Sequence, residues 1–157
     1  MSDHFQVQQV LGRYVRAVDR RDGAALSKLF TPDATVTILF DQQAPKPLGQ
    51  LVGAEQIGQA VAGMLAPHAP RGWSHHMTFD HLIEMDGNRA TLDAQFVMFL
   101  TLGNAMPEGG WPRGLFGAQG SVAPREAGYY RSELVHERDA WLIHRHTVHL
   151  DLPQAFG

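Results

Sequence analysis

Residues 73–102, WSHHMTFDHLIEMDGNRATLDAQFVMFLTL, are rich in β-branched, aromatic and aliphatic residues around one turn signal. They form the first two of four long segments with this character: Trp73–Met85, Ala90–Leu102, Gly128–Glu137 and Trp141–Leu152. Short turn signals join the members of each pair, Asp86-Gly87-Asn88 in the first and Arg138-Asp139 in the second. Strands joined by short turns pair antiparallel, so this half of the chain predicts an antiparallel sheet.

The first part of the chain predicts three helices, because apolar residues recur there at three- and four-residue intervals. The expected helices span residues 4–21, 24–30 and 53–65, with a further strand at 34–40. This order predicts a single α+β domain over residues 1–157. We expect a cone-shaped, curved antiparallel or mixed sheet that wraps around the N-terminal helices and resembles a barrel. The concave space between sheet and first helix predicts an internal pocket.

Composition excludes several function classes. The chain has 157 residues, with 13 Lys and Arg against 16 Asp and Glu and a formal net charge of −3. An acidic balance of this kind lacks the attraction on which nucleic-acid binding depends. No run of apolar residues is long enough for a membrane span. Cys is absent, which excludes disulfides and thiolate catalysis, and the start of the sequence has no secretory pattern, so a cytoplasmic location is expected.

The end of the first predicted helix contains the first candidate site residues, Tyr14, Asp19 and Asp22. At about 100° per residue, Tyr14 falls within the apolar arc and Asp19 lies just beyond its edge. Both side chains could therefore face a cavity beside the core. The alternative is structural, with the carboxylates in solvent beside neighbouring arginines and the tyrosine in the core.

A pair of histidines, His75 and His76, begins the first long strand. Successive strand residues point to opposite faces, so only one of the two faces the interior. A carboxylate that hydrogen-bonds an imidazole fixes its tautomer and favours its action as a general base. Asp19 and His76 are candidates for such a pair, although a lone inward histidine can also be purely structural.

The last predicted strand has an unusual polar content. Alternation places His144 and His146 on one face and Arg145 and Thr147 on the other. Polar side chains on a core strand indicate that it lines something polar. Two histidines two residues apart could also bind a metal, but no compact third ligand is evident, and no metal is expected.

Four stretches of the sequence together resemble the SnoaL-like branch of the nuclear-transport-factor-2-like superfamily. They are Tyr14–Ala34, Gly53–Ile57, Ser74–His76 and Trp141–Ile143. The resemblance implies the cone fold with an apolar internal pocket. Because this superfamily hosts many chemistries on one scaffold, the resemblance defines a pocket more firmly than a reaction.

Within the superfamily, the pattern is similar to that of scytalone dehydratase, bile-acid 7α-dehydratase and hexachlorocyclohexane dehydrochlorinase. In these enzymes an Asp near the end of the first helix pairs with a His on the strand after the third helix, and this His removes a proton. The resemblance implies that Asp19 and His76 have these roles, with Tyr14 as the tyrosine that some dehydratases use. His75 is the alternative base if the register differs by one.

These features predict a cofactor-independent lyase or isomerase for a small, apolar, cyclic molecule. The expected substrate-binding residues are His75, Arg145, Thr147, Phe96 and Met98. The alternative is a non-catalytic module of the same fold that binds a ligand or builds an oligomer, like the β-subunits of ring-hydroxylating dioxygenases. The segment 103–125, rich in Gly and Pro, predicts a pocket lid or a subunit contact. A homodimer or homotrimer is expected because a curved sheet has exposed edges.

Overall fold

This computed structural model describes residues 2–63 and 67–152. The helices are α1 (Asp3–Arg20), α2 (Gly23–Ser27) and α3 (Ala54–Gly63). The strands are β1 (Phe30–Phe40), β2 (Lys46–Val52), β3 (Gly72–Asp86), β4 (Arg89–Gly103), β5 (Gly120–Glu137) and β6 (Ala140–Leu150). Helices come first and long strands follow, which confirms the predicted α+β class.

All six strands form one curved sheet with the order β2-β1-β6-β5-β4-β3. Neighbours pair antiparallel except β1 and β6, which pair parallel, so the sheet is mixed. The two predicted turns close the hairpins β3–β4 and β5–β6. The sheet is not closed, because β2 and β3 remain as its two edges, and the expectation of a barrel is therefore wrong.

Helix α1 packs against β3, β4 and β6 and defines the two faces of the sheet. We call the face in contact with α1 the inner face and the opposite one the outer face. The apolar stripe of α1 lies against the inner face, with Val7, Val10, Leu11 and Val15 all buried. Their fully buried partners in the sheet come from β1, β4, β5 and β6, and the edge strands β2 and β3 contribute the partly buried Leu48, Leu51 and Ile83. Burial of one such side chain stabilises the fold by about 1.5–3 kcal/mol.

Helices α2 and α3 pack on each other at a point where both have glycine. A Cβ on Gly23 would lie 2.2 Å from the carbonyl oxygen of Gly58, so only glycine permits this approach. Helix α3 ends at Gly63 within the described part, and residues 64 and 65 of the predicted third helix lie outside it. No helix in the described ranges is long and apolar enough to cross a membrane.

Several predicted boundaries are wrong. Helix α2 ends at Ser27, because Phe30 already belongs to β1. Strand β2 was not predicted, because the sequence indicates no strand between residues 41 and 52. Strand β5 begins at Gly120, so the irregular part of the Gly- and Pro-rich segment is limited to residues 104–119. Strand β6 ends at Leu150, two residues earlier than expected.

Candidate active site

Asp19 reaches the inner face because α1 ends directly above the start of β3. Helix α1 ends at Arg20, and Arg21 adopts a left-handed conformation with φ of 57° that turns the chain away. On β3, alternation places Ser74 and His76 on the inner face beneath this last helical turn. The local structure of two distant segments thus brings a carboxylate, a hydroxyl and an imidazole together.

The carboxylate of Asp19 accepts three hydrogen bonds from β3. Its Oδ1 lies 2.6 Å from His76 Nδ1 and 2.9 Å from Ser74 Oγ, and its Oδ2 lies 3.0 Å from the backbone nitrogen of His76. The side chains of His76 and Asp19 are only 8% and 11% exposed. The pairing of these two residues that the sequence predicted is therefore present in the structure, while their catalytic roles stay predictions.

This geometry fixes the charge of Asp19 and the tautomer of His76. Burial pushes the pKa of Asp19 upward, but the hydrogen bonds and charge of His76 together with the Ser74 hydroxyl outweigh burial and hold the pKa below its ordinary value. Asp19 is therefore ionised at neutral pH. Because an ionised carboxylate only accepts, His76 Nδ1 carries a hydrogen and donates it. The neutral imidazole then has its lone pair on Nε2, for which no hydrogen bond is found within residues 2–63 and 67–152.

Aromatic rings continue from His76 along the inner face. The ring of Phe96 lies 6.0 Å from His76 and stacks on Tyr130 at 4.2 Å. Tyr130 contacts Tyr14 edge to face at 5.5 Å. Met98 pairs with His76 in the β3–β4 register and is partly buried on the same face. The predicted residues Tyr14, Phe96 and Met98 are thus all on the inner face with the Asp19–His76 pair.

Both tyrosines on this face are neutral hydrogen-bonding groups. Burial raises the pKa of Tyr14 well above its ordinary value. The pKa of Tyr130 is raised by burial first, and further by electrostatic repulsion that Tyr14, Glu126 and Asp19 would exert on an ionised Tyr130. Each phenol therefore keeps its proton at physiological pH, and it can donate a hydrogen bond to an oxygen without becoming ionised.

His146 extends the polar inner face to β6. It is 1% exposed, its Nδ1 lies 2.8 Å from Ser132 Oγ, and its ring lies 4.5 Å from that of Tyr14. Burial lowers the pKa of His146 to about 3, so the imidazole is neutral. Its Nε2 is buried without a hydrogen-bond partner in the described part of the protein. An unpartnered buried nitrogen of this kind is uncommon, because most buried polar groups have a hydrogen-bond partner.

Three predicted substrate-binding residues are not part of this site. His75 is exposed on the outer face, as alternation requires when Ser74 and His76 face inward. Arg145 and Thr147 also lie on the outer face, where Arg145 Nη1 is 3.4 Å from Glu133 Oε2. The expectation that these residues line the same pocket as His76 is therefore wrong. The inner face of β6 includes Ile143, His146, Val148 and Leu150, which pair with inner-face residues of β5.

The two histidines considered as metal ligands are also separated. A register shift in the pairing with β5 leaves His144 unpaired between Ile143 and Arg145. His144 Nδ1 lies 3.2 Å from Thr31 Oγ1, whereas His146 contacts Ser132. Within residues 2–63 and 67–152, no group of three or more His, Asp or Glu side chains could hold a metal ion.

Two cavities open on the surface away from His76. One of about 450 Å³ lies between α2 and α3. The other, of about 500 Å³, lies on the outer face among Thr35, Thr37, Glu133, Arg145 and Thr147. At the Asp19–His76 pair, the space that was expected to be an open pocket contains the stacked rings of Phe96 and Tyr130.

Three inner-face residues were not predicted from the sequence: Ser74, Tyr130 and Ser132. Ser74 could have been found, because it is two residues before His76 and a strand repeats every two residues. Tyr130 and Ser132 gave no comparable signal, because their proximity to Phe96 and His146 depends on the registers of β5 with β4 and β6. Pairing registers between strands are not visible in one sequence.

The fold and the site together define a class: a curved sheet over an N-terminal helix, with a buried Asp–His pair between them. The sequence model of the SnoaL-like domain matches residues 1–147. The chain therefore belongs to the SnoaL-like domain family. No match to a curated protein was found.

Solved structures with the same fold include three informative examples. A protein of unknown function from Mycobacterium tuberculosis is 22% identical, with a TM-score of 0.65 over 96% of this chain and 73% of that one. The β-subunit of a proposed aromatic-ring-hydroxylating dioxygenase from Novosphingobium aromaticivorans is 15% identical, with a TM-score of 0.69 over 95% and 89%. A proposed scytalone dehydratase from the same organism is 12% identical, with a TM-score of 0.69 over 99% and 88%. These likenesses show the fold.

Proposed function

We propose that the protein is a cofactor-independent lyase or isomerase in which His76 is the general base. One observation carries the proposal: Asp19 is buried, ionised and hydrogen-bonded to His76 Nδ1, which leaves the lone pair of Nε2 for a substrate. A base positioned in this way accelerates proton removal by roughly 10² to 10⁴. The similarity in fold to a proposed scytalone dehydratase agrees with this chemistry.

The proposed reaction begins with transfer of a proton from substrate carbon to His76 Nε2. Asp19 stabilises the imidazolium that forms, because the carboxylate is within hydrogen-bond distance of Nδ1. In an elimination, the electron pair left on carbon forms a C=C bond while the neighbouring C–O bond breaks. The departing hydroxyl takes the proton from His76 and leaves as water, which returns the imidazole to its neutral form.

Neutral hydrogen-bond donors on the inner face would stabilise the oxygen on which negative charge develops. Tyr14 and Tyr130 are suited to this role because burial keeps both phenols protonated. The rings of Phe30 and Phe96 beside them make this region aromatic, which favours a flat or cyclic apolar substrate. We therefore propose a neutral cyclic substrate with a carbonyl or hydroxyl group next to the carbon that loses its proton.

The proposal is tested by proton exchange at carbon. Steroids, terpenoids, polyketide-like phenols and chlorinated rings are incubated with the protein in D₂O, and NMR follows deuterium incorporation and elimination. We expect at least one compound to react, and Asp19→Asn to lower its rate on the order of 10², because an amide no longer enforces the reactive tautomer or stabilises the imidazolium.

Asp22→Asn is the matched control for Asp19→Asn. Asp22 is exposed and accepts a hydrogen bond from the backbone of Ala25 at the start of α2, a role that Asn also fills. This variant should react like the unmodified protein. Equal rates for Asp19→Asn and Asp22→Asn would contradict the proposed role of the Asp19–His76 pair.

An assembly module is the second candidate function, and a specific surface favours it. We define the outer patch as the apolar outer-face residues Trp73, Met77, Phe79, Val97, Phe99 and Val122. Met77 is 58% exposed and Val122 68%. Three strands about 4.8 Å apart, each contributing about seven residues, give this patch roughly 300 Å², so it would form the apolar centre of a standard interface, in which each partner buries about 800 Å². We propose that two or more copies of this chain associate through it.

Light scattering tests this association. We expect a mass that is a multiple of 17.4 kDa, and we expect Met77→Lys to reduce it to 17.4 kDa because a lysine charge would be buried in the contact. Phe5→Lys, at an exposed apolar position on α1, is the control and should not change the mass. A monomeric unmodified protein would exclude the association. Association without any turnover in the exchange experiment would favour the assembly module over the enzyme.

A further inference from the structure

His68 lies outside the hydrogen-bonded group of Asp19, Ser74 and His76 but contacts it through the main chain. Its Nε2 is 2.7 Å from the carbonyl oxygen of Asp19. A carbonyl oxygen only accepts, so Nε2 carries the hydrogen and donates it. The His68 ring also stacks on the indole of Trp73, with ring centroids 4.6 Å apart and planes 24° apart. His68 therefore connects the end of α1 to the beginning of β3.

The carbonyl that His68 contacts belongs to the last turn of α1. Such carbonyls have no partner inside the helix and need one from elsewhere. The backbone N–H groups of Asp22 and Arg21 donate hydrogen bonds to the carbonyl oxygens of Ala17 and Val18, respectively. The imidazole of His68 donates a hydrogen bond to the carbonyl oxygen of Asp19. A donor at this end of the helix also interacts favourably with the negative pole of the helix dipole.

The contacts of His68 close a ring of interactions around Asp19. Its main chain is held by His68, which rests on Trp73, and its carboxylate is held by Ser74 and His76. Residues 73, 74 and 76 are neighbours in β3, so backbone and side chain of Asp19 are fixed to the same rigid strand. A displacement of α1 relative to β3 would have to break both sets of contacts.

We propose that His68 is a positioning residue, which holds the Asp19 carboxylate at hydrogen-bond distance from His76 Nδ1. Its effect on turnover rests on the proposed function, but its effect on the hydrogen bond between Asp19 and His76 does not. Small displacements of a catalytic group cost rate steeply, by up to about 10² for 1 Å. We expect loss of the His68 hydrogen bond to lower kcat about tenfold with little change in KM, because substrate contacts are not altered.

Two variants separate the hydrogen bond from the stacking. His68→Phe keeps a ring to stack on Trp73 but removes the donor, whereas His68→Gln keeps a donor and loses the ring. The matched control is His136→Phe, because the His136 ring packs against another tryptophan, Trp141, at 5.2 Å. NMR of protein with ¹⁵N-labelled histidine at pH 7 measures how fast the Nδ1 hydrogen of His76 exchanges with water.

We expect this hydrogen to exchange about tenfold faster in His68→Phe, and to exchange as in the unmodified protein in His68→Gln and His136→Phe. Equal exchange in His68→Phe and His136→Phe would overturn the proposal. Equally fast exchange in His68→Gln and His68→Phe would also overturn it, because the donor would then not matter. If His68→Phe does not fold, His68→Ala replaces it, since His68 is only partly buried. Faster exchange in a protein that turns over no substrate would support the positioning role while the proposed function fails.

Discussion

His76→Gln is expected to abolish proton abstraction, with a fall in rate of about a thousandfold or more for any compound that the unmodified protein converts. Glutamine can still donate a hydrogen bond to Asp19, but its amide has no lone pair that can accept a proton at neutral pH. The remaining rate would come from binding alone. Deuterium incorporation into substrate carbon, followed by NMR in D₂O, measures the loss directly.

His81→Gln is the matched control for His76→Gln. His81 is on the same strand, is partly buried, and its Nε2 lies 3.2 Å from Thr78 Oγ1. We expect this variant to keep full activity and both variants to keep the thermal unfolding temperature within a few degrees. Retained exchange in His76→Gln would remove the proposed base. Loss of exchange in His75→Gln would instead indicate that the outer-face histidine acts, against the orientation seen in β3.

The sequence predicted most of the fold, and its errors have identifiable physical causes. Strand β2 contains Pro47 and Gly49, which usually indicate a loop, but an edge strand tolerates proline because one of its sides is unpaired. Pro32 lies inside β1, where the pairing with β6 is interrupted between Phe30 and Thr35. The parallel pairing of β1 with β6 joins segments more than 100 residues apart, and no local pattern indicates it.

The candidate site was predictable where it depends on local periodicity. Helical spacing placed Tyr14 and Asp19 beside the core, and strand alternation required one of His75 and His76 to face inward. The choice between those two histidines came from a resemblance to a family, and the structure agrees with that choice through the hydrogen bond to Asp19. The wrong assignment of Arg145 has a different origin, because the residue types of β6 alone do not show which face meets α1.

His68 illustrates what sequence reasoning could not find. Its contact with Asp19 depends on the position of residues 67–71, where a loop imidazole packs against the end of a distant helix. In the sequence, Pro67 and Pro70 indicate only that the third predicted helix, residues 53–65, ends before them. Side-chain hydrogen bonds to a main-chain carbonyl leave no residue pattern, so a residue that positions the candidate base became visible only with the fold.

Acidification is expected to destabilise the protein through His146. In the folded protein the pKa of His146 is about 3, because the ring is buried, whereas an exposed histidine has a pKa near 6.5. Below pH 6.5 the unfolded chain binds a proton that the folded protein does not, so stability falls as pH decreases toward 3. The slope is about 1.4 kcal/mol per pH unit. Between pH 7 and pH 5, His146 alone should lower the free energy of unfolding by about 2 kcal/mol.

Urea unfolding of the unmodified protein and of His146→Phe, each at pH 7 and pH 5, isolates this contribution. Phenylalanine suits a position already in contact with Tyr14, Tyr130 and Phe30 but cannot titrate. The fall in the free energy of unfolding between pH 7 and pH 5 should therefore be about 2 kcal/mol smaller in the variant, whatever its stability at pH 7.

The protein also loses the stabilising contribution of Asp19 on acidification, because the pKa of Asp19 is lowered by folding. This loss occurs below about pH 4, outside the range from pH 7 to pH 5. An unchanged difference in His146→Phe would mean that His146 takes up a proton in the folded protein as readily as in the unfolded chain, which would contradict a neutral buried imidazole.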